Sequence, residues 1–131
     1  MKNEVLDDWI RKAEGDYRTA KRELSVGDEP NYDAVCIFSQ QCAEKYLKAF
    51  LIASTGKFPR IHDLTKLLDK CIQADESFNF IKNECDLLTG LLRLRYPADF
   101  AELEDAKLAM KNLLVIRSHI REKLGLRKKH A

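Results

Sequence analysis

Arg95 and Tyr96 are the adjacent pair best suited to holding a nucleotide. A guanidinium can grip a phosphate through parallel hydrogen bonds, and a phenol ring can lie against a base. The competing expectation pairs Arg95 with a carboxylate of the fold, packs Tyr96 and leaves Pro97 to end a helix. Asp99 follows closely, either as an acid or as the amino-terminal cap of the next helix. His62 precedes Asp63, and either side chain could cap a helix there; a ligand role for His62 is the alternative. Gln41 and Lys48 belong to a polar band with Gln40, Glu44 and Lys45. That band is either a binding surface, with Lys48 meeting a phosphate, or a solvated helix face with Glu44 and Lys48 as a pair four residues apart.

Other chemistry has few carriers. His62, His119 and His130 lie far apart, and Cys36, Cys42, Cys71 and Cys85 show no C-x-x-C spacing. The four thiols are expected to be reduced core residues, with no disulfide, metal or cofactor. There is no Gly-rich phosphate loop, H-E-x-x-H, EF-hand loop or G-x-S-x-G.

Apolar residues recur at intervals of three and four, without sustained alternation, and Gly or Pro punctuates the chain near 27–30, 56–59, 90, 97 and 125. Five helices follow, at about 4–24, 32–54, 63–74, 77–95 and 101–124, with Gly125 just beyond the last. The expected class is all-α, an up-and-down bundle of four or five helices. The apolar faces comprise Val5, Trp9, Ala13, Tyr17, Ala20 and Leu24 in the first helix, and Leu103, Ala106, Met110, Leu113, Ile120 and Leu124 in the last. Trp9 is expected in the core rather than as a stacking platform. Asp16 and Arg117 fall inside these apolar arcs, where an ionised group needs a partner. They are expected to meet each other or Arg95 in a polar seam, or else to snorkel outward.

The 131 residues, 45% apolar and 34% charged, suit one domain over 1–131 and exclude a disordered chain. The longest uncharged stretch, Ala34 to Ala43, is too short to cross a bilayer, and acids interrupt the amino terminus where a secretory signal needs an apolar run. A soluble cytoplasmic protein with no membrane contact is expected. Six basic residues and one acid follow Ile116, ending in a short basic tail at about 125–131 that could touch phosphates or complement a helix dipole.

Four strings stand in register: Trp9, Ala13 and Asp16 as W-x3-A-x2-D; FSQQCAEKYLKAFLI at 38–52; IHDL at 61–64; and RYPAD at 95–99. Together they resemble the HEPN domain, and the likeness runs from about residue 5 to 124. It implies a helical bundle that commonly forms a homodimer and is often encoded beside a minimal nucleotidyltransferase, as a toxin–antitoxin or nucleotide-binding pair. Many members are metal-independent ribonucleases with an Arg-x4–6-His motif, the His acting as acid or base and the Arg holding the scissile phosphate.

This chain departs from that motif. Five to seven residues beyond Arg95 stand Phe100, Ala101 and Glu102; beyond Arg93 stand Ala98, Asp99 and Phe100. Without the imidazole, acid–base catalysis at neutral pH lacks its natural carrier. The leading expectation is a non-catalytic nucleotide- or RNA-binding module, with Arg95, Tyr96, Lys48 and Gln41 as contacts. It would be homodimeric and partnered by a minimal nucleotidyltransferase. Two alternatives stay open: an atypical ribonuclease using Arg95 with Tyr96, Asp99 or His62, and a purely structural interaction protein.

Overall fold

A computed structural model describes residues 4–57, 59–91, 94 and 96–126. Among them are five α-helices and no strand: α1 Glu4–Ser25, α2 Tyr32–Thr55, α3 Leu64–Ala74, α4 Lys82–Gly90 and α5 Leu103–Lys123. Each boundary has a local cause. Asn31 caps α2 by accepting from the Ala34 amide, and α2 ends at Gly56, whose φ of 72° is left-handed. Asp63 caps α3 through the amides of Thr65 and Lys66. After α5, Gly125 (φ 70°) donates to Glu122 and Leu126 donates to Arg121, a Schellman closure.

The fourth helix differs from its expected span. Glu76–Ile81 forms a 3-10 turn capped by Asp75, and only then does α4 begin, ending at Gly90 rather than near 95. In a 3-10 turn residues three apart eclipse, so Phe78 and Ile81 both point inward, and both are fully buried. Asp99 does not cap α5. Glu102 does so in a capping box with Asp105, while the Asp99 amide closes a turn onto the Tyr96 carbonyl at 3.1 Å. Asp33 holds the approach to α5 by accepting from the Ala101 amide at 2.6 Å.

α2 is the central element and packs against α1, α3, α4 and α5. This explains why its polar band is only partly solvated: Ser39, Gln40 and Lys48 are buried along with Val35, Cys36, Cys42, Tyr46 and Leu47. The expectation of a solvated face thus fails at Gln40 and Lys48. Val5 and Leu103, assigned to apolar faces, are exposed. Both sit in the first turn of their helix, where side chains lean toward the amino terminus and past the packed region. All four cysteines are buried and unbridged. No helix among the described residues is long and apolar enough to cross a membrane.

Candidate nucleotide-binding cleft

Lys48 organises one side of α2. Its stem and ammonium are 1% exposed, yet the charge is matched. Nζ lies 2.9 Å from Glu44 Oε2, 3.0 Å from His62 Nδ1, and 5.4 Å from the centroid of the Trp9 ring. A carboxylate, an imidazole nitrogen and an aromatic face thus replace water around one cation. Trp9 is half-buried and carries that cation on its face, so it is neither a plain core residue nor an open stacking platform.

His62 is held from one edge. Its Nδ1 faces both the Lys48 ammonium and Glu44 Oε2, the latter at 3.1 Å, while the side chain is 81% exposed. An ammonium only donates and a carboxylate only accepts. When Nδ1 accepts from Lys48, the ring proton sits on the outward Nε2; when the imidazole is protonated, Nδ1–H donates to Glu44. Asp63 anchors the neighbouring backbone as the α3 cap, and hydrogen bonds from the Thr65 hydroxyl and the Lys66 amide hold its carboxyl below the ordinary range.

A cleft of about 440 Å³ opens beside this group, lined by Gln41, Glu44, Lys45, His62, Leu64 and Thr89 among others. Lys45 at its edge is ion-paired with Asp16 of α1. Of the residues singled out from the sequence, Gln41 and His62 line the cleft, and Lys48 does not line it but is bonded to His62 and Glu44 at its wall. Tyr96 and Asp99 do not line it, and Tyr96 is 69% exposed at the start of the turn that contains Pro97. Arg95, Arg93, Leu92 and the tail from 127 onward lie outside the described residues.

The inward charges pair differently from the expected seam. Arg117 meets Glu14, not Asp16: Nε is 2.7 Å from Oε2 and Nη2 is 2.8 Å from Oε1. Glu14 and Asp16 are two residues apart, roughly 200° around α1, so the first faces α5 and the second faces Lys45 on α2. The Tyr46 hydroxyl also donates to Glu14, and Arg121 donates to the Tyr46 oxygen at 3.1 Å. Arg117 lies over the Tyr17 ring at 4.3 Å. Burial pushes the Glu14 carboxyl up, but hydrogen bonds from Arg117 and Tyr46, together with the charges of Arg117 and Arg121, hold it at about 2. The bond to Glu14 raises Arg117 further above its ordinary range. Burial, reinforced by the bond to Glu14, raises the Tyr46 phenol.

Glu14 has no sequence motif of its own. Its signal was indirect: Arg117 and Arg121 stand four residues apart on one side of α5, and two guanidiniums drawn largely out of water require a carboxylate. Among the described residues no group of three or more His, Cys, Asp or Glu side chains could hold a metal ion.

The residues of three of the four sequence strings therefore converge. Trp9 of α1, Glu44 and Lys48 of α2 and His62 before α3 form one polar group beside the cleft, and the Asp16–Lys45 pair forms a second at its edge. The family model of the HEPN domain matches residues 6–123, nearly the whole chain. The chain belongs to the HEPN domain family, a nucleotide- and RNA-related module. No curated protein and no solved structure gave a match.

Proposed function

We propose that this chain is a non-catalytic HEPN module that binds a nucleotide or RNA. It acts as a homodimer, a single domain in the cytoplasm, beside a minimal nucleotidyltransferase in a toxin–antitoxin-like pair. The observation that carries this reading is the cleft beside His62, where Gln41, Glu44 and His62 present hydrogen-bonding edges and Lys48 braces Glu44 and His62 from within the fold. The missing imidazole beyond Arg95 supports a binding rather than a cleaving role. Arg95 and Tyr96 are proposed as further contacts. The exposed side chains of Tyr96, Phe100 and Leu103 supply apolar surface for the second copy.

Fluorescence anisotropy with labelled RNA and labelled adenine nucleotide, alongside incubation of RNA with and without a chelator, tests the proposal. Saturable binding without cleavage is the expected result. Co-expression with a neighbouring nucleotidyltransferase, followed by pull-down, tests the partner. One observation favours a second reading, a metal-independent ribonuclease: the Glu44 carboxylate against His62 Nδ1 has the arrangement of an oriented acid–base imidazole. Chelator-insensitive cleavage lost in Arg95→Ala or His62→Ala would establish that reading instead.

A further inference from the structure

Among the described residues, the cations nearest the cleft, Lys45 and Lys48, are already engaged within the fold. Lys45 is paired with Asp16, and Lys48 is buried against Glu44, His62 and Trp9. Three carboxylates (Asp16, Glu44 and Asp63) stand here against two ammonium groups. Among the described residues, a phosphate entering the cleft would meet more carboxylate than ammonium charge, and the Lys45 and Lys48 ammonium groups are each already held by a carboxylate. Lys48 is therefore a support for the cleft and not its phosphate contact.

The groups left open are of another kind. The contacts of Glu44 with Lys48 and His62 both fall on Oε2, so among the described residues Oε1 remains available as an acceptor. The Gln41 amide, half-buried at the cleft wall, makes no hydrogen bond among the described residues. It offers a donor and an acceptor side by side, the pattern that reads a base edge. The outward Nε2 of His62 adds a third polar edge, and the Thr89 hydroxyl, donating to the Cys85 carbonyl at 2.9 Å, keeps its lone pairs. Buried Leu64 adds an apolar contact. A carboxylate oxygen accepts from a ribose hydroxyl or an exocyclic amine, and an amide pairs with a base edge.

Resting on the nucleotide-binding reading above, we infer that this cleft receives the uncharged base-and-ribose end of its ligand and leaves the phosphate outside. Gln41 reads the base edge and Glu44 Oε1 takes a ribose hydroxyl or an exocyclic amine.

The test is calorimetric titration of the full chain with the four common ribonucleosides, their 5′-monophosphates and inorganic phosphate. The best nucleoside should bind within a factor of about three of its monophosphate, and the affinity should change little between roughly 50 and 300 mM salt. Inorganic phosphate should not compete. Gln41→Ala and Glu44→Gln should each weaken nucleoside binding by about tenfold. Gln41 makes no hydrogen bond among the described residues, so its variant keeps the test decisive if Glu44→Gln unfolds. A monophosphate that binds far more tightly than its nucleoside, is displaced by inorganic phosphate and weakens steeply with salt would overturn the inference while leaving the nucleotide-binding reading standing. Undiminished nucleoside binding in folded Gln41→Ala would also overturn it. Failure of nucleosides, nucleotides and RNA alike to bind would remove both.

Discussion

Arg117 grips Glu14 with two nitrogens on two oxygens, at 2.7 and 2.8 Å, and so ties the first helix to the last. The pair is almost dry, with the Glu14 side chain 5% exposed. Removing one member of such a pair strands the other away from water, and Arg117→Met should cost about 3 kcal/mol. Urea unfolding followed by circular dichroism measures it. An unchanged midpoint would mean that Arg121 and Tyr46 satisfy Glu14 alone.

The same carboxylate gives the fold an acid limit. Its folded pKa lies at about 2, below the ordinary 4.5, so the unfolded chain takes up the proton first as the pH falls. Its stabilisation is complete above about pH 4.5 and is lost as the pH falls through about 2, a loss on the order of 3 kcal/mol. Glu14→Gln should be less stable at neutral pH and should show a flatter stability profile across that window. A profile as steep as the parent's would assign acid unfolding to other carboxylates.

Lys48 and His62 should behave as a coupled pair. His62 is largely exposed, so His62→Ala alone should change stability by about 0.5 kcal/mol or less. Lys48→Met keeps the apolar stem but removes the donor between Glu44 and His62, and should cost about 1–3 kcal/mol. In a double-mutant cycle the two should couple by about 0.5–1 kcal/mol. Strict additivity would show that the contact between Nζ and Nδ1 contributes nothing in solution.

The elements were legible because each stop is chemical: Asn31, Gly56, Asp63 and Gly125 cap or end helices through side chains or backbone angles that few other residues supply. Helical periodicity could not distinguish a 3-10 turn at Glu76–Ile81 from the first turns of an α-helix, since both bury residues three apart. Nor could it show that Lys48 is buried. Burial of a polar position on a central helix depends on which neighbours cover it, and Trp9 and His62 come from other elements. His62 was visible through the string it shares with Asp63, but its link to Glu44 is a tertiary fact. Glu14 stayed hidden because its charged partners, Arg117 and Arg121, lie about a hundred residues away.

His119 introduces a second pH dependence. The ring sits edge-on to Phe78 at 4.8 Å and beside Phe80 at 5.9 Å, and its Nε2 is 3.2 Å from the Ser77 hydroxyl. Burial lowers its pKa below the ordinary 6.5, and the nearby Lys123 charge lowers it further; Asp75 and Glu122 oppose the shift without reversing it. A group buried neutral is protonated first in the unfolded chain, so its stabilisation is full above about pH 6.5 and declines as the pH falls through the lowered folded value. His119→Phe should remove the part of the stability profile that falls just below neutrality. NMR titration of the ring should give a midpoint under the free-imidazole value, and a midpoint above it would refute the assignment.

Asp63 connects helix stability to the cleft. Its carboxylate accepts from the Thr65 amide at 2.9 Å and the Lys66 amide at 3.3 Å, satisfying two donors that α3 would otherwise leave bare. Asp63→Ala should lower stability by about 1 kcal/mol, whereas Asp63→Asn or Asp63→Ser should restore most of the loss, because those residues also cap. The cap also sets the backbone at His62, the next residue toward the amino terminus, whose imidazole must reach Lys48 and Glu44. Asp63→Ala should therefore perturb the ring resonances of His62 and weaken nucleoside binding, and the capping variants should recover both. Recovery of stability without recovery of binding would mean that the Asp63 charge itself, rather than the position it gives His62, serves the cleft.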